Sequence, residues 1–86
     1  MSKFTKAAAS GVALLDEKRP RWRRSVDKKN LRQGDIKKCV LAQVYGNFGA
    51  GVAALKVHGR LEEFGFSTSH PPDYRHLTRA WKLQLA

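Results

Sequence analysis

The sequence predicts a small all-α fold, with about four short helices around one core and residues 1–86 forming a single domain. Apolar residues recur every three to four positions in several segments, which is typical of helices with one buried face. No segment keeps the strict alternation of a strand over more than a few positions, although a minor extended segment near Leu31 or Phe64–Ser67 is compatible with the pattern. Short local connections also favour a helical domain.

The first predicted helix covers residues 3–17, with Ser2 as its N-cap. Its apolar stripe consists of Phe4, Ala8, Val12 and Leu15. Gly11 lies inside this helix and costs about 1 kcal/mol relative to alanine, so we expect a bend there. Pro20 ends the helix or starts a new short element.

A basic connecting segment follows at about residues 18–35 and is too polar for continuous burial. Trp22 and Val26 are four positions apart, so a short helical turn near Arg21–Val26 would place both on the core. A loop ending at Gly34 completes the segment. The segment and the three residues after Asp35 hold +8 of the formal net charge of +10.

The second predicted helix begins with Asp35 as N-cap and runs to about Tyr45, where Gly46 ends it. Its apolar face consists of Ile36, Val40 and Val44, with Lys37 and Lys38 outside that face. A third helix is predicted over residues 50–57, with Val52 and Leu55 facing inward. The last helix has Pro72 in its first turn and a buried stripe formed by Tyr74, Leu77, Trp81 and Leu85.

Small and apolar residues in the second and third helices have the spacing of a helix-turn-helix unit. Ala42, Gly46, Val52 and Leu55 stand at relative offsets 0, 4, 10 and 13. The second of these helices, however, is made of glycine, alanine and valine, and only Asn47 beside it could read a base edge. Close packing of two helices therefore explains the spacing better than sequence-specific DNA recognition.

Side chains that could carry catalysis or hold a metal are scattered. Cys39 is predicted to be a buried helix residue, and a single cysteine gives no internal disulfide and fits a reducing compartment. His58, His70 and His76 lack the spacing of a metal site. We therefore predict no enzyme activity, no cofactor and no metal. No apolar run reaches the roughly 18–20 residues needed to cross a bilayer, so we expect a cytoplasmic protein. The basic segment lacks the apolar face of a helix that lies on a membrane, so we expect no membrane binding.

Two stretches of the chain resemble a group of small proteins encoded by actinobacterial phages and their hosts. The run from Ala13 to Lys18 with Pro20 and Trp22 is similar to their opening. The run from Cys39 to Phe48, then Gly65-Phe66 and Trp81, is similar to their middle and end. The resemblance implies a phage or prophage origin in a bacterial host and carries no catalytic residue. The chain departs from the pattern at Arg21 and Ala42, where the group has glycine, and the other members are more acidic after the tryptophan.

The density of lysine and arginine is the strongest functional signal, because concentrated positive charge attracts polyanions. The predicted nucleic-acid-binding residues are Arg19, Arg21, Arg23, Arg24, Lys28, Lys29, Arg32, Lys37 and Lys38. We expect contacts to phosphates, in the first instance those of DNA, with weak sequence preference. The alternative is a protein-protein interaction with an acidic host protein. The protein is expected to be a monomer or a homodimer.

Overall fold

The computed structural model describes residues 2–86 as an all-helical domain with principal extents of 28 × 26 × 22 Å. Its four helices are α1 (Lys3–Lys18), α2 (Val40–Tyr45), α3 (Phe48–Leu55) and α4 (Tyr74–Leu85). Short 3₁₀ turns cover Trp22–Ser25, Lys28–Asn30 and Pro71–Asp73. No strand occurs in residues 2–86, so the predicted fold class is confirmed.

The longest helix, α1, packs along α4 and forms the main wall of the core. Ser2 caps α1 as predicted, because its hydroxyl accepts a hydrogen bond from the Thr5 amide at 3.2 Å. Helix α1 runs without interruption through Gly11. A Cβ at Gly11 would collide with the Phe64 carbonyl oxygen and approach the Trp81 ring to 2.5 Å. Glycine is therefore needed there for close packing of α1 on α4.

The centre of the core is aromatic. The rings of Trp22 and Trp81 are fully buried and meet edge to face, with centroids 6.0 Å apart. Phe66 stacks on Trp81 at 5.7 Å. The predicted helical turn in the basic segment is present as Trp22–Ser25, and it brings Trp22 into this cluster. The polar segment is therefore anchored to the core at its start.

The second helix begins later than predicted, at Val40, and its N-cap is Cys39 in place of Asp35. Residues 35–39 form turns, because the Lys38 carbonyl accepts hydrogen bonds from the Arg32 amide and the Gln43 side chain. Ile36, predicted to be buried, is therefore 73% exposed. Asp35 caps this turn, since its carboxylate accepts hydrogen bonds from the amides of Lys37 and Lys38.

The helices α2 and α3 pack closely across a two-residue connection. Gly46 has φ +94°, as its role at the end of α2 requires, and Asn47 caps α3 by accepting a hydrogen bond from the Ala50 amide at 2.7 Å. A Cβ at Gly51 would lie 2.8 Å from the Leu41 Cβ. Helix α3 spans Phe48–Leu55, so it begins and ends two residues earlier than predicted.

The last helix begins at Tyr74, directly after the 3₁₀ turn that contains Pro72. Leu77 and Trp81 of its predicted stripe are buried, and Tyr74 and Leu85 are half-buried. Within residues 2–86, no helix is both long enough and apolar enough to cross a lipid bilayer.

Candidate nucleic-acid interface

All nine basic residues predicted to bind nucleic acid are exposed, but they lie on different parts of the surface. Three of them reach a shared groove, two stack on aromatic rings, and four extend from the surface. The groove group consists of Lys29, Arg32 and Lys38. The stacked group consists of Arg19 and Arg23.

Arg23 contacts other residues of the protein rather than extending freely into solvent. Its guanidinium contacts the Asp16 carboxylate at the end of α1 and lies 4.7 Å from the centroid of the Trp22 ring. The same carboxylate oxygen accepts a hydrogen bond from Trp22 Nε1 at 2.8 Å. The hydrogen bonds from Arg23 and Trp22 hold the pKa of Asp16 below its usual value. Much of the Arg23 charge is therefore balanced, and Trp22 lies too deep to stack on a ligand.

Arg19 lies over the face of Tyr45, with 4.9 Å between its guanidinium carbon and the ring centroid. This cation–π contact joins the end of α1 to the end of α2 and stabilises the exposed guanidinium against the protein surface. Arg19 can still offer its N–H groups to a ligand at the edge of the ring. Its reach is shorter than that of a free arginine.

An open groove of about 660 Å³ lies between the basic segment and α4. Lys29, Arg32 and Lys38 line one side, and Arg75 and Lys82 of α4 line the other. Among the lining residues, Asp35 is the one acid in the described part of the chain. The groove therefore collects five cations from two elements that are far apart in the sequence.

The groove wall is held in place by Gln33, a polar side chain only 2% exposed. Its Nε2 donates a hydrogen bond to the Gly65 carbonyl at 2.8 Å, and its Oε1 accepts one from the Val40 amide at 2.8 Å. The Gln33 backbone amide donates a hydrogen bond to the Thr78 hydroxyl of α4 at 2.9 Å. The loop that bears Arg32 is thus fixed both to α4 and to the core.

Gly34 allows the same loop to lie flat against α4. It has φ +92°, and a Cβ there would come within 2.8 Å of the Tyr74 ring. A larger residue would therefore be strained and would push Tyr74 away. The loop is therefore in close contact with α4 at Gly34, one of the residues that line the groove.

The acids near the groove are engaged by local hydrogen bonds. Asp35 has its pKa lowered chiefly by the hydrogen bond from the Lys37 amide, with smaller contributions from Lys38 and Arg32. Asp27 has its pKa lowered chiefly by the Asn30 side chain, which donates to its carboxylate at 2.6 Å. Both carboxylates stay ionised at neutral pH, and neither forms an ion pair within residues 2–86. None of the five groove cations forms an ion pair within residues 2–86.

Arg21, Arg24, Lys28 and Lys37 do not line the groove, and no ion pair holds them in the described chain.

Two groove cations, Arg75 and Lys82, are absent from the set that the sequence singles out. Their signal is helical spacing, since Arg75, Thr78 and Lys82 stand at i, i+3 and i+7 on one face of α4. That face also has no acidic residue across the whole of α4.

The helix-turn-helix spacing reflects packing. Ala42, Val52 and Leu55 are buried between α2 and α3, while the exposed residues of α3 are Gly49, Ala50, Ala53 and Ala54. Such a face has no side-chain donor or acceptor for base edges. The Asn47 side-chain oxygen is already used as the helix cap.

Cys39 is buried, as predicted, and its burial raises the pKa of the thiol. Its sulfur accepts a hydrogen bond from the Ala42 amide at 3.4 Å, so the residue serves as a helix cap. No cluster of three or more metal-ligating side chains occurs in residues 2–86.

Comparison of the chain with protein-family models, with curated proteins and with solved structures gave no match.

Proposed function

We propose that the protein binds nucleic acid through backbone phosphates at the groove between the basic segment and α4, without catalysing a reaction. The observation that carries this proposal is the set of five cations from two distant elements around one open groove: Lys29, Arg32, Lys38, Arg75 and Lys82. Phosphate contacts of this kind supply most of the affinity of sequence-independent binding. Arginine adds a fork of N–H donors that fits phosphate oxygens.

The exposed cations outside the groove extend the electropositive surface. Arg19, Arg21, Arg24, Lys28 and Lys37 would contact neighbouring phosphates or steer the polyanion toward the groove. Sequence preference is weak in this proposal, because long cationic side chains contact phosphates and α3 has no base-reading groups. The resemblance to phage-encoded proteins supports a role as an accessory protein that acts in the cytoplasm of a bacterial host.

A mobility-shift assay with DNA at two ionic strengths tests the proposal. We expect retardation at about 50 mM salt and a steep loss of affinity by about 200 mM, since bound phosphates release their counterions. Absence of retardation at about 50 mM salt would remove the proposal.

An acidic host protein is the second candidate, since the same cations would attract clustered carboxylates as well as phosphates. A pull-down from nuclease-treated host lysate separates the two ligands. One protein retained in stoichiometric amount after nuclease treatment favours this candidate. Loss of all retained material after nuclease treatment favours nucleic acid.

A further inference from the structure

We infer that the nucleic acid bound in the groove is single-stranded and that one unpaired base enters a small apolar pocket beside the groove. This inference rests on the proposed function and specifies which form of nucleic acid, single-stranded or duplex, binds in the groove. It is carried by two neighbouring features with different chemistry, a cationic groove and an apolar pocket. A nucleotide has the same two parts, since it joins an anionic phosphate to a flat base.

The apolar pocket has a volume of about 130 Å³ and is formed mainly by Ile36, Cys39, Phe48 and Phe66. Sites for drug-sized ligands are roughly 300–1,000 Å³, so this pocket has room for about one flat ring system. Cys39 and Phe66 are buried, while Phe48 is half-buried and Ile36 is 73% exposed at the edge. The aromatic and aliphatic contact that the pocket offers to a base therefore comes mainly from Phe48 and Ile36.

The pocket and the groove are adjacent to each other. Gly34, Asp35 and Tyr74 line both of them. Tyr74 is half-buried, and its ring rests on Gly34 at the junction. A strand whose phosphates lie along Arg32 and Arg75 would thus pass beside the residues that the groove and the pocket share.

The state of the bases separates single strands from duplexes. In a duplex, the bases are paired and stacked inside the helix, so entry into a pocket requires unpairing and unstacking, which weakens binding. Bases of a single strand are free, and each base stacked on an aromatic side chain strengthens binding. The charge of the groove favours a nucleotide over a neutral apolar ligand as the occupant of the pocket. A neutral apolar ligand would gain no binding energy from the five adjacent cations.

The test compares three probes by fluorescence anisotropy at one ionic strength. They are a single strand of about 12 nucleotides, an abasic sugar–phosphate strand of the same length, and the corresponding duplex. Because the two single strands have the same phosphate charge, their difference reports base contacts alone. We expect the base-containing strand to bind about tenfold tighter than the abasic strand, and tighter than the duplex.

A pair of exposed apolar residues provides matched variants. Ile36→Gln alters the edge of the pocket, and Leu83→Gln alters a similarly exposed residue (63%) that lines neither the pocket nor the groove. We expect Ile36→Gln to reduce the preference for the base-containing strand several-fold while the abasic strand binds as before. Leu83→Gln is expected to leave both affinities unchanged. Circular dichroism confirms that both variants stay folded.

Each other outcome is decisive. Equal binding of the base-containing and abasic strands, or tighter binding of the duplex, overturns this inference and leaves the proposed function intact. Failure of all three probes to bind at about 50 mM salt overturns the proposed function, and the inference with it. An equal effect of the two glutamine variants overturns the assignment of the base to this pocket.

Discussion

Gln33 is the residue on which the geometry of the groove most depends. Its buried side chain joins Gly65 to Val40, and its backbone amide joins the basic segment to Thr78 of α4. A buried amide donor that loses its acceptor costs about 1–3 kcal/mol. The position therefore contributes both to stability and to the placement of Arg32.

Replacing Gln33 with leucine tests this role. We expect Gln33→Leu to lower the free energy of unfolding by about 2–3 kcal/mol, since the Val40 amide loses its partner and the loop loses its attachment to Gly65. Gln84→Leu is the matched control, because the half-buried Gln84 side chain makes no hydrogen bond within residues 2–86. Urea denaturation measures both variants, and equal midpoints would contradict the role of Gln33.

Asp16 provides a pH-dependent contribution at the residue scale. Its folded-state pKa lies below the unfolded value of about 3.9 because Arg23 and Trp22 donate hydrogen bonds to the carboxylate. The resulting stabilisation is present above the unfolded pKa and is lost as the pH falls through the folded pKa. It is small, since the side chain is 46% exposed and solvent screens the ion pair.

Asp16→Asn should therefore be less stable than the wild type at pH 6, and the difference should shrink as the pH is lowered toward 2 and the wild-type carboxyl takes up protons. Chemical denaturation at the two pH values measures that difference. A gap of the same size at both values would mean that the Asp16 charge makes no contribution.

At the scale of the element, two glycines in helices have opposite roles. Gly11 in α1 lies against the Phe64 carbonyl and the Trp81 ring, whereas a methyl group at Gly49 in α3 would contact only the Asn47 side-chain oxygen, at 3.5 Å. Helix propensity favours alanine over glycine at both positions by up to about 1 kcal/mol. Packing reverses this preference where the helices touch.

We expect Gly11→Ala to destabilise the protein by about 1–3 kcal/mol and Gly49→Ala to stabilise it by up to about 1 kcal/mol. Thermal unfolding of the two variants under the same conditions gives the comparison. A Gly11→Ala variant with an unfolding temperature equal to or above that of the wild type would show that α1 and α4 are not in close contact at this position.

The helices with clear apolar stripes could be predicted from the sequence, but the start of α2 could not. The pattern of Ile36, Val40 and Val44 continues a helical face toward Asp35, yet the helix begins only at Val40. The cause is a pair of hydrogen bonds to residues that precede the helix, since the Lys38 carbonyl and the Val40 amide bond to Arg32 and Gln33. Local periodicity does not include such partners.

At the scale of the whole molecule, charge density predicts one side of the groove and misses the other. Lys29, Arg32 and Lys38 stand in an evidently basic segment. Arg75 and Lys82 join them because the fold packs the basic segment against α4, where the Gln33 backbone amide bonds to Thr78, 45 positions away. Arg23, equally basic in sequence, is balanced by Asp16 instead. Which cations share a surface is therefore decided by tertiary contacts.

The groove variant and its control have the same change in net charge. The groove variant carries Lys29→Gln, Lys38→Gln and Arg75→Gln, three exposed cations that line the groove. The control carries Lys6→Gln, Lys56→Gln and Arg79→Gln, three exposed cations outside it. Each removes two lysines and one arginine, so a difference between them reports location rather than total charge.

The most direct test of the phosphate-binding groove is the slope of log K against log salt for single-stranded DNA, measured for the wild type and these two variants. Each phosphate contact contributes about −0.7 to the slope for single strands, so the groove variant should have a slope shallower by about 2. The control should keep nearly the wild-type slope. Equal slopes for the two variants would contradict the claim that folding gathers these cations into one phosphate-binding surface.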